Sequence, residues 1–147
     1  RLPGLEPRGA LIVDLDYKEV PLRIIAAHFG LLRRSRSQQA RVLLAAAHSV
    51  TRPTVLLGDF NEWRVNTRSS LLPLLPQFGP LDAVLPSFPS RFPLLALDRI
   101  LARPQSLISS LEVHRSPLAR VASDHLPIKA RLNLQGISHG DSQMRAA

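Results

Sequence analysis

The spacing of apolar residues divides this chain into short strands and a single helix. Apolar residues dominate 10–16 and 21–27, which predicts two strands, the second ending at His28. Because residues 17–19 leave room only for a turn between them, the two strands are expected to pair as a hairpin. Further apolar runs predict strands at 54–58, 98–102, about 110–114 and 126–134.

Helical periodicity occurs in the segment 36–50, where apolar residues recur every three or four positions. Ser35 or Ser37 is a suitable N-cap for this helix, and Pro53 prevents its continuation. The resulting order of strand, helix and strand predicts an α+β fold, in which the helix covers one mostly antiparallel sheet.

The segment 62–97 is the least regular part of the sequence. Six prolines interrupt it, which predicts a loop with one helical turn near 68–75. Long irregular loops in compact domains are commonly functional. By its length the chain forms one domain, which we place at 1–134, and residues 135–147 predict a disordered tail.

The composition limits the chemistry that is available. The 147 residues include no cysteine, which excludes disulfides, thiolate metal ligands and a cysteine nucleophile. Any metal ion must therefore be held by oxygen or imidazole ligands, which favours Mg²⁺, Mn²⁺ or Ca²⁺. No apolar run reaches the roughly 20 residues of a membrane-spanning helix. The compartment stays unassigned, with the cytoplasm favoured.

The formal net charge of +8 comes almost wholly from arginine, since Lys18 and Lys129 are the only lysines. One interpretation is attraction for phosphate-bearing partners, because the guanidinium group matches phosphate oxygens. The other is a base-composition bias that replaces lysine by arginine. The one cluster of basic residues consists of Arg33, Arg34, Arg36 and Arg41. Such a cluster is more typical of a solvated helix start than of a nucleic-acid-binding stripe.

Polar residues follow the predicted strand at 54–58 directly, in the run Gly58-Asp59-Phe60-Asn61. Residues two apart in an extended segment face the same side, so Asp59 and Asn61 are expected to point into one cleft while Phe60 faces the core. A carboxylate and an amide at that spacing can share a metal ion and a water molecule. The structural alternative is an Asx turn after the strand.

Two further carboxylates lie beside predicted strands, since Asp98 enters one strand and Asp124 precedes His125 at the start of another. A carboxylate that enters an apolar strand needs a partner, and the imidazole of His125 can supply an N–H group. That contact would fix the tautomer of the imidazole for proton transfer near neutral pH. The alternatives are a salt bridge between Asp98 and Arg99 and, for Asp124 and His125, an ordinary surface loop.

His28 ends the second predicted strand, where its side chain can bind a phosphoryl oxygen or protonate a leaving group. The alternative is a core histidine bonded to the backbone. Aimed carboxylates, an amide and a histidine at strand ends are together the components of a divalent-metal phosphoesterase.

The order of these motifs resembles the endonuclease/exonuclease/phosphatase superfamily. Its members include deoxyribonuclease-like nucleases, abasic-site endonucleases, inositol polyphosphate phosphatases and neutral sphingomyelinases. Three shorter stretches are also similar to bacterial members, namely Glu6-Pro7-Arg8-Gly9-Ala10-Leu11, Ala27-His28-Phe29-Gly30-Leu31 and Ser87-Phe88-Pro89. The resemblance covers about residues 6–134, and its specificity comes from several motifs in the family's order.

The resemblance implies a deoxyribonuclease-like β-sandwich with flanking helices and a site at the rim of the sheets. The catalytic residues that it implies are His28, Asp59, Asn61, Asp98 and His125. The metal ligands that it implies are Asp124, Asp59 and Asn61, with Mg²⁺ or Mn²⁺ as the cofactor. The implied reaction is in-line attack of water on a phosphodiester or phosphomonoester.

One part of the family pattern is missing from this sequence. Family members carry an N-terminal portion with an asparagine and a metal-binding glutamate, whereas Glu6 matches a different segment. We therefore expect residues 1–147 to be the C-terminal portion of a longer hydrolase. The expected partner is a nucleic acid, a phospholipid head group or a small phosphoester, and no stable protein partner is predicted. The alternatives are a catalytically inactive interaction module of the same fold and a basic RNA-binding module.

Overall fold

The computed structural model describes residues 1–48 and 51–135. The strands of this part are β1 (Ala10–Tyr17), β2 (Val20–His28), β3 (Thr54–Asp59), β4 (Asp98–Arg103), β5 (Ile108–Val113) and β6 (Ile128–Leu132). Its α-helices are α1 (Arg33–His48) and α2 (Ala119–Ala122), and 3₁₀ helices occur at Leu72–Leu74 and Gln105–Leu107. None of the described helices is long and apolar enough to cross a membrane.

All six predicted strands are present, with ends that differ by no more than two residues from the prediction. The helical turn predicted near 68–75 is the 3₁₀ helix at Leu72–Leu74. The predicted tail at 135–147 lies, except for Gln135, outside the described residues.

Helix α1 begins earlier than the sequence predicts. Its first turn starts near Leu32, whose carbonyl accepts a hydrogen bond from the backbone N–H of Arg36 (3.0 Å). Ser35 and Ser37 therefore lie inside the helix, and the prediction that one of them is the N-cap is wrong. Polar residues at the helix start made the apolar periodicity begin later than the backbone helix does.

The strands form two sheets rather than the single sheet that the residue pattern predicts. The larger sheet has the order β1-β2-β3-β4, and the smaller one pairs β5 with β6. The pair β2–β3 is parallel, and the other pairs are antiparallel. Pro104 and the 3₁₀ helix that follows it separate β4 from β5, and strand periodicity does not reveal which sheet a strand joins.

The larger sheet buries apolar side chains on both faces, as the two-residue period of a strand requires. On one face, Ile25, Leu56 and Leu101 form a core with Ala40, Leu43 and Ala47 of α1. On the other face, Leu22, Val55 and Ala102 form a core against which Ile108 and Leu132 of the smaller sheet pack. The layers are therefore the helix, the larger sheet and the smaller sheet, in that order.

The register of the larger sheet aligns three polar residues. His28 of β2 pairs with Asp59 of β3, and Asp59 pairs in turn with Asp98 of β4. Neighbouring strands lie about 4.8 Å apart, so these residues stand side by side at one end of the sheet. The chain can therefore build a site there from residues that are distant in sequence.

Gly58 permits this register because β2 and β3 approach each other closely at that residue. Gly58 has φ +137°, a conformation that side chains disfavour, and it pairs with Ala27. A Cβ atom on Gly58 would lie 1.9 Å from the carbonyl oxygen of Ala27, which belongs to the backbone and cannot turn aside.

We expect Gly58→Ala to lower the free energy of unfolding by about 3 kcal/mol or more, through backbone strain and the clash with Ala27. Urea unfolding followed by circular dichroism measures this change. Gly9→Ala is the matched control, since a Cβ atom there meets no atom within 4 Å, and its effect should stay within about 1 kcal/mol. Equal effects of the two substitutions would contradict the close-approach explanation.

Candidate active site

Strand β3 ends at Asp59, and the chain turns at once. The carboxylate of Asp59 accepts a hydrogen bond from the backbone N–H of Asn61 (2.8 Å), and Asn61 has φ +51°. This is the Asx turn, so the prediction that Asp59 and Asn61 share one face of an extended segment is wrong. The side-chain amide of Asn61 donates to the carbonyl of Phe29 (2.9 Å), which ties the turn to the end of β2.

Phe60 anchors this turn in the core, as the sequence predicts. Its side chain is fully buried, and its ring centroid lies 4.8 Å from that of Phe29. With the ring held on one side and Asn61 bonded to Phe29 on the other, the carboxylate of Asp59 is held at the sheet edge.

Asp98 and His125 form the contact that the sequence predicts between them. The Nδ1 atom of His125 lies 2.8 Å from Oδ2 of Asp98, and the hydroxyl of Ser87 donates to the same oxygen. Arg99, the alternative partner, donates instead to the carbonyl of Ala83 (2.6 Å). The ring of Phe88 packs beside the imidazole of His125, with centroids 4.9 Å apart, and fixes its position further.

Both predicted histidines converge on Asp59. The Oδ2 atom of Asp59 lies 3.4 Å from Nε2 of His28 and 4.0 Å from Nε2 of His125. The side chain of Asp59 is 18% exposed, so the carboxylate stands between the two imidazoles with limited contact to water. The structure therefore brings His28, Asp59, Asn61, Asp98 and His125 together at one end of the larger sheet.

Burial raises the pKa of the Asp59 carboxyl above its ordinary value. The N–H of Asn61 opposes this shift, whereas the neighbouring carboxylate of Asp98 adds to it, and the two histidines oppose it more weakly. A carboxylate whose pKa is raised by burial and by a second acid is a better proton acceptor than a solvated one.

The pKa of His125 is also raised. Burial alone lowers it, but the hydrogen bond to Asp98, together with the negative charges of Asp98, Asp59 and Asp124, outweighs burial. The charged imidazolium is therefore favoured at higher pH than in an isolated histidine. Asp98 orients the ring through Nδ1, which leaves Nε2 directed toward Asp59.

Arg8 belongs to this site, and sequence reasoning assigned it no role. Its guanidinium Nη1 lies 3.1 Å from Nε2 of His28, and Nη2 lies 2.6 Å from the carboxylate of Glu6. Glu6 in turn accepts a hydrogen bond from the backbone N–H of Leu31 (3.2 Å). Arg8 precedes β1, whose pairing with β2 brings it beside His28, and the segment's likeness to bacterial relatives was the available signal.

Glu62 is a second residue that sequence reasoning missed. Its side chain is completely buried, and the carboxylate accepts hydrogen bonds from the backbone N–H and the hydroxyl of Ser70 (2.9 and 2.7 Å). Arg36 lies 3.5 Å from the same oxygen. Burial alone raises the pKa of Glu62, but these hydrogen bonds and the charge of Arg36 lower it overall.

The environment of Arg36 differs from the one that the local sequence predicts. The arginine cluster at the start of α1 was expected to be solvated, yet Arg36 is 3% exposed and its guanidinium donates to Ser70 (3.1 Å) and to the carbonyl of Leu31. Arg99 is likewise 3% exposed and reaches the carbonyl of Glu62 (3.5 Å). Charges from α1 and β4 thus fix the chain immediately after the Asx turn.

The predicted metal ligands supply oxygen donors, but they are too few to complete the coordination of a metal ion. Asp59 and Asn61 adjoin each other, and Asp124 is exposed beside His125. In residues 1–48 and 51–135, no group of three or more histidine, aspartate or glutamate side chains is arranged to hold a metal ion. The half-buried Asp59 beside Asp98 is an accumulation of negative charge that a cation would stabilise, so the chemistry fits a hard cation although the ligand count is short.

A family model and curated proteins of similar sequence both match this chain. The model of the Endonuclease/Exonuclease/phosphatase family matches residues 3–125. The uncharacterized protein YbhP of Escherichia coli K12 is 31% identical over 145 residues, which cover 89% of this chain and 54% of that protein. The chain thus spans about half the length of the curated relatives that it matches.

Solved structures share the fold. An endonuclease/exonuclease/phosphatase from Bacteroides vulgatus superposes with a TM-score of 0.72 at 20% identity, over 86% of this chain and 56% of that one. The inositol polyphosphate 5-phosphatase domain of SpSynaptojanin was solved in complex with inositol (1,4)-bisphosphate and calcium. It superposes with a TM-score of 0.63 at 20% identity, over 88% of this chain and 51% of that one. These likenesses confirm the deoxyribonuclease-like α+β fold that the motifs predicted.

We expect Asp98→Asn to lower the pKa of His125, because the hydrogen bond and the charge that favour the imidazolium are weakened. The pKa of His125 in the native chain should lie above 6.5, the value for an isolated histidine. Titration of the imidazole Cε1–H resonance by NMR measures both values. Asp16→Asn, at the opposite end of β1, is the control and should leave the titration unchanged.

The same contact makes stability depend on pH. Because the pKa of His125 is raised on folding, its stabilising contribution is fully present below pH 6.5 and is lost as the pH rises through the folded value. Asp98→Asn should weaken this dependence, and a His125 titration that is insensitive to Asp98→Asn would contradict the assigned pairing.

Proposed function

The chain belongs to the endonuclease/exonuclease/phosphatase family, and we propose that it is a divalent-metal-dependent phosphoesterase that hydrolyses a phosphodiester or a phosphomonoester. The main support for this proposal is the arrangement of side chains around Asp59. His28 and His125 converge on the half-buried carboxylate of Asp59, while Asp98 orients His125 from behind. A carboxylate that faces two imidazole groups suits water attack on a phosphoryl group that carries negative charge.

In this proposal Asp59 orients the attacking water and takes its proton as the new oxygen–phosphorus bond forms. The raised pKa of Asp59 supports this role, since it brings the carboxylate closer to the pKa of a useful base. Asn61, which is bonded to Asp59 and to Phe29, keeps the carboxylate in position and supports the phosphoryl group.

His125, charged and oriented by Asp98, stabilises the negative oxygens of the phosphoryl group. Its raised pKa favours the cationic imidazole at higher pH than in an isolated histidine. His28 donates a proton to the departing oxygen as the old phosphorus–oxygen bond breaks. Arg8 lies beside His28 and supplies guanidinium donors for a phosphoryl oxygen at the same edge.

Mg²⁺ or Mn²⁺ would be held by Asp124, Asp59 and Asn61, with water molecules in its remaining coordination positions. When bound, such an ion neutralises phosphoryl charge and activates the bound water. Because Mg²⁺ keeps several water ligands in proteins, the short donor set among the described residues is compatible with such an ion.

The net charge and a structural neighbour support the proposed substrate class. A net charge of +8 favours a polyanionic or phosphate-bearing substrate. The related 5-phosphatase domain is in complex with an inositol bisphosphate, which supports a phosphoester. A nucleic acid, a phospholipid head group and a small phosphoester all meet these conditions.

Magnesium-dependent hydrolysis of bis-p-nitrophenyl phosphate tests the proposal. We expect Asp59→Ala and His125→Ala each to lower kcat by about 100-fold or more, because each removes a group that acts on the reacting phosphoryl group. Chelation of the metal should abolish turnover. Asp16→Asn is the control and should retain full activity.

The competing function is a catalytically inactive interaction module of the same fold. Metal-dependent turnover that both substitutions abolish would exclude it. Absence of hydrolysis by this chain with Mg²⁺ or Mn²⁺ would contradict the phosphoesterase proposal for residues 1–147.

Arg8 has its own test. If it binds a phosphoryl oxygen, Arg8→Ala should raise KM by about tenfold, the effect of one lost charge-assisted contact, with a smaller change in kcat. Arg34→Ala, an exposed arginine of α1, is the control and should leave KM unchanged. A fall in kcat with no change in KM would instead indicate that Arg8 acts by positioning His28.

A further inference from the structure

Two segments beside the candidate active site carry an exposed surface that combines arginines with large apolar side chains. Phe92 is 77% exposed, Leu118 is 73% exposed and Val121 is 68% exposed. Single exposed apolar residues are ordinary on a protein surface, but a group on adjoining segments marks an interaction site. The exposed basic side chains around them are Arg91, Arg115 and Arg120.

Hydrogen bonds hold the two segments together. The hydroxyl of Ser90 donates to the carbonyl of Arg120 (3.1 Å), which joins the loop before β4 to α2. Leu118 and Val121 lie three residues apart and are joined by a backbone hydrogen bond (3.1 Å), so their side chains share one side of this turn. The basic apolar surface, as we call it, consists of Arg91, Phe92, Arg115, Leu118, Arg120 and Val121.

A groove of about 650 Å³ runs through this surface. Its lining includes all three arginines together with Phe92 and Val121, and the described residues that line it include no acidic side chain. The groove is therefore complementary to negative charge, while Phe92 and Val121 in its lining are suited to an apolar environment.

We propose that the basic apolar surface docks on an anionic phospholipid bilayer. A bilayer offers both partners that the surface needs at the correct depths, with phosphates for the arginines and acyl chains just below them for Phe92, Leu118 and Val121. Arginine side chains span this boundary readily, since their stems are apolar and their heads remain in the phosphate layer.

A nucleic acid matches the surface less well. Single strands bind through aromatic platforms on which bases stack, and the surface contains one aromatic residue beside two aliphatic ones. Leu118 and Val121 gain nothing from phosphate or sugar, whereas burial in acyl chains removes their surface from water. The two aliphatic residues therefore favour a lipid bilayer over a nucleic acid as the partner of this surface.

The surface borders the candidate active site. The backbone N–H of Ser90 donates to the carbonyl of Asp124 (2.7 Å), the residue that precedes His125. Docking would therefore hold the site at the phosphate layer of the bilayer. This consequence rests on the function proposed above, whereas the docking itself does not require turnover.

Co-sedimentation of the chain with vesicles tests the docking. We expect binding to vesicles of equimolar phosphatidylcholine and phosphatidylglycerol to exceed binding to phosphatidylcholine vesicles by about tenfold or more, and to weaken with salt. Phe92→Ser combined with Leu118→Ser should lower the partition coefficient by about tenfold. Charge reversal by Arg91→Glu, Arg115→Glu and Arg120→Glu should abolish binding.

The arginine cluster of α1 provides a matched control. Arg33, Arg34 and Arg41 line a groove of about 580 Å³ whose other lining residues, Ser37 and Gln38, are polar. Replacing these three arginines by glutamate changes the net charge by the same amount, and binding should stay within about twofold of the native chain. Thermal unfolding should change little in any variant, because all the substituted side chains are exposed.

Three results would overturn the proposal. Equal binding to neutral and anionic vesicles would remove the role of charge, and equal losses from the two charge reversals would remove the role of this surface. Retention of binding after Phe92→Ser and Leu118→Ser, with displacement by single-stranded DNA, would assign the surface to a polyanion instead. Because vesicle binding is measured without turnover, its failure is distinguishable from failure of the phosphoesterase proposal.

Discussion

The alignment of β2, β3 and β4 is the constraint on which the candidate active site depends. The parallel pairing of β2 with β3 places His28 opposite Asp59, and the antiparallel pairing of β3 with β4 places Asp98 on the other side of Asp59. A shift of one residue in either pair would send a functional side chain to the opposite face. The tight approach at Gly58 favours one register, because the backbone of Ala27 leaves no space for a side chain there.

Buried charge secures the segment that follows this register. Burying the carboxylate of Glu62 is costly, and the cost is offset by the hydrogen bonds from Ser70 and by the nearby guanidinium of Arg36. Arg99 contributes from β4 through the carbonyl of Glu62. A helix, a strand and an irregular loop are thereby joined at one point, directly behind the Asx turn of Asp59. The irregular sequence of this loop is thus compatible with a fixed position for the catalytic candidates.

The arginine residues have more than one physical use in this structure. Arg36 and Arg99 are buried structural partners, and Arg23 forms a two-pronged contact with Asp14 (2.7 Å for each hydrogen bond). Arg8 stands in the site beside His28. Others, such as Arg91, are exposed on one surface. The fold distributes the arginines among structure, site and surface.

The sequence by itself determined the strands, the helix and the family, because apolar periodicity and contiguous motifs are local properties of the chain. It also indicated the contact of Asp98 with His125, since a carboxylate in an apolar strand requires a partner. Only the tertiary structure decided that the strands divide into two sheets and that Asp59 and Asn61 form an Asx turn. Only the tertiary structure placed Arg8, Glu62 and Arg36 in or beside the site. Their contacts join segments that are distant in sequence, and no periodic pattern of residues indicates such contacts. Local order follows from neighbouring residues, whereas convergence at a site follows from strand register and from the compensation of buried charge.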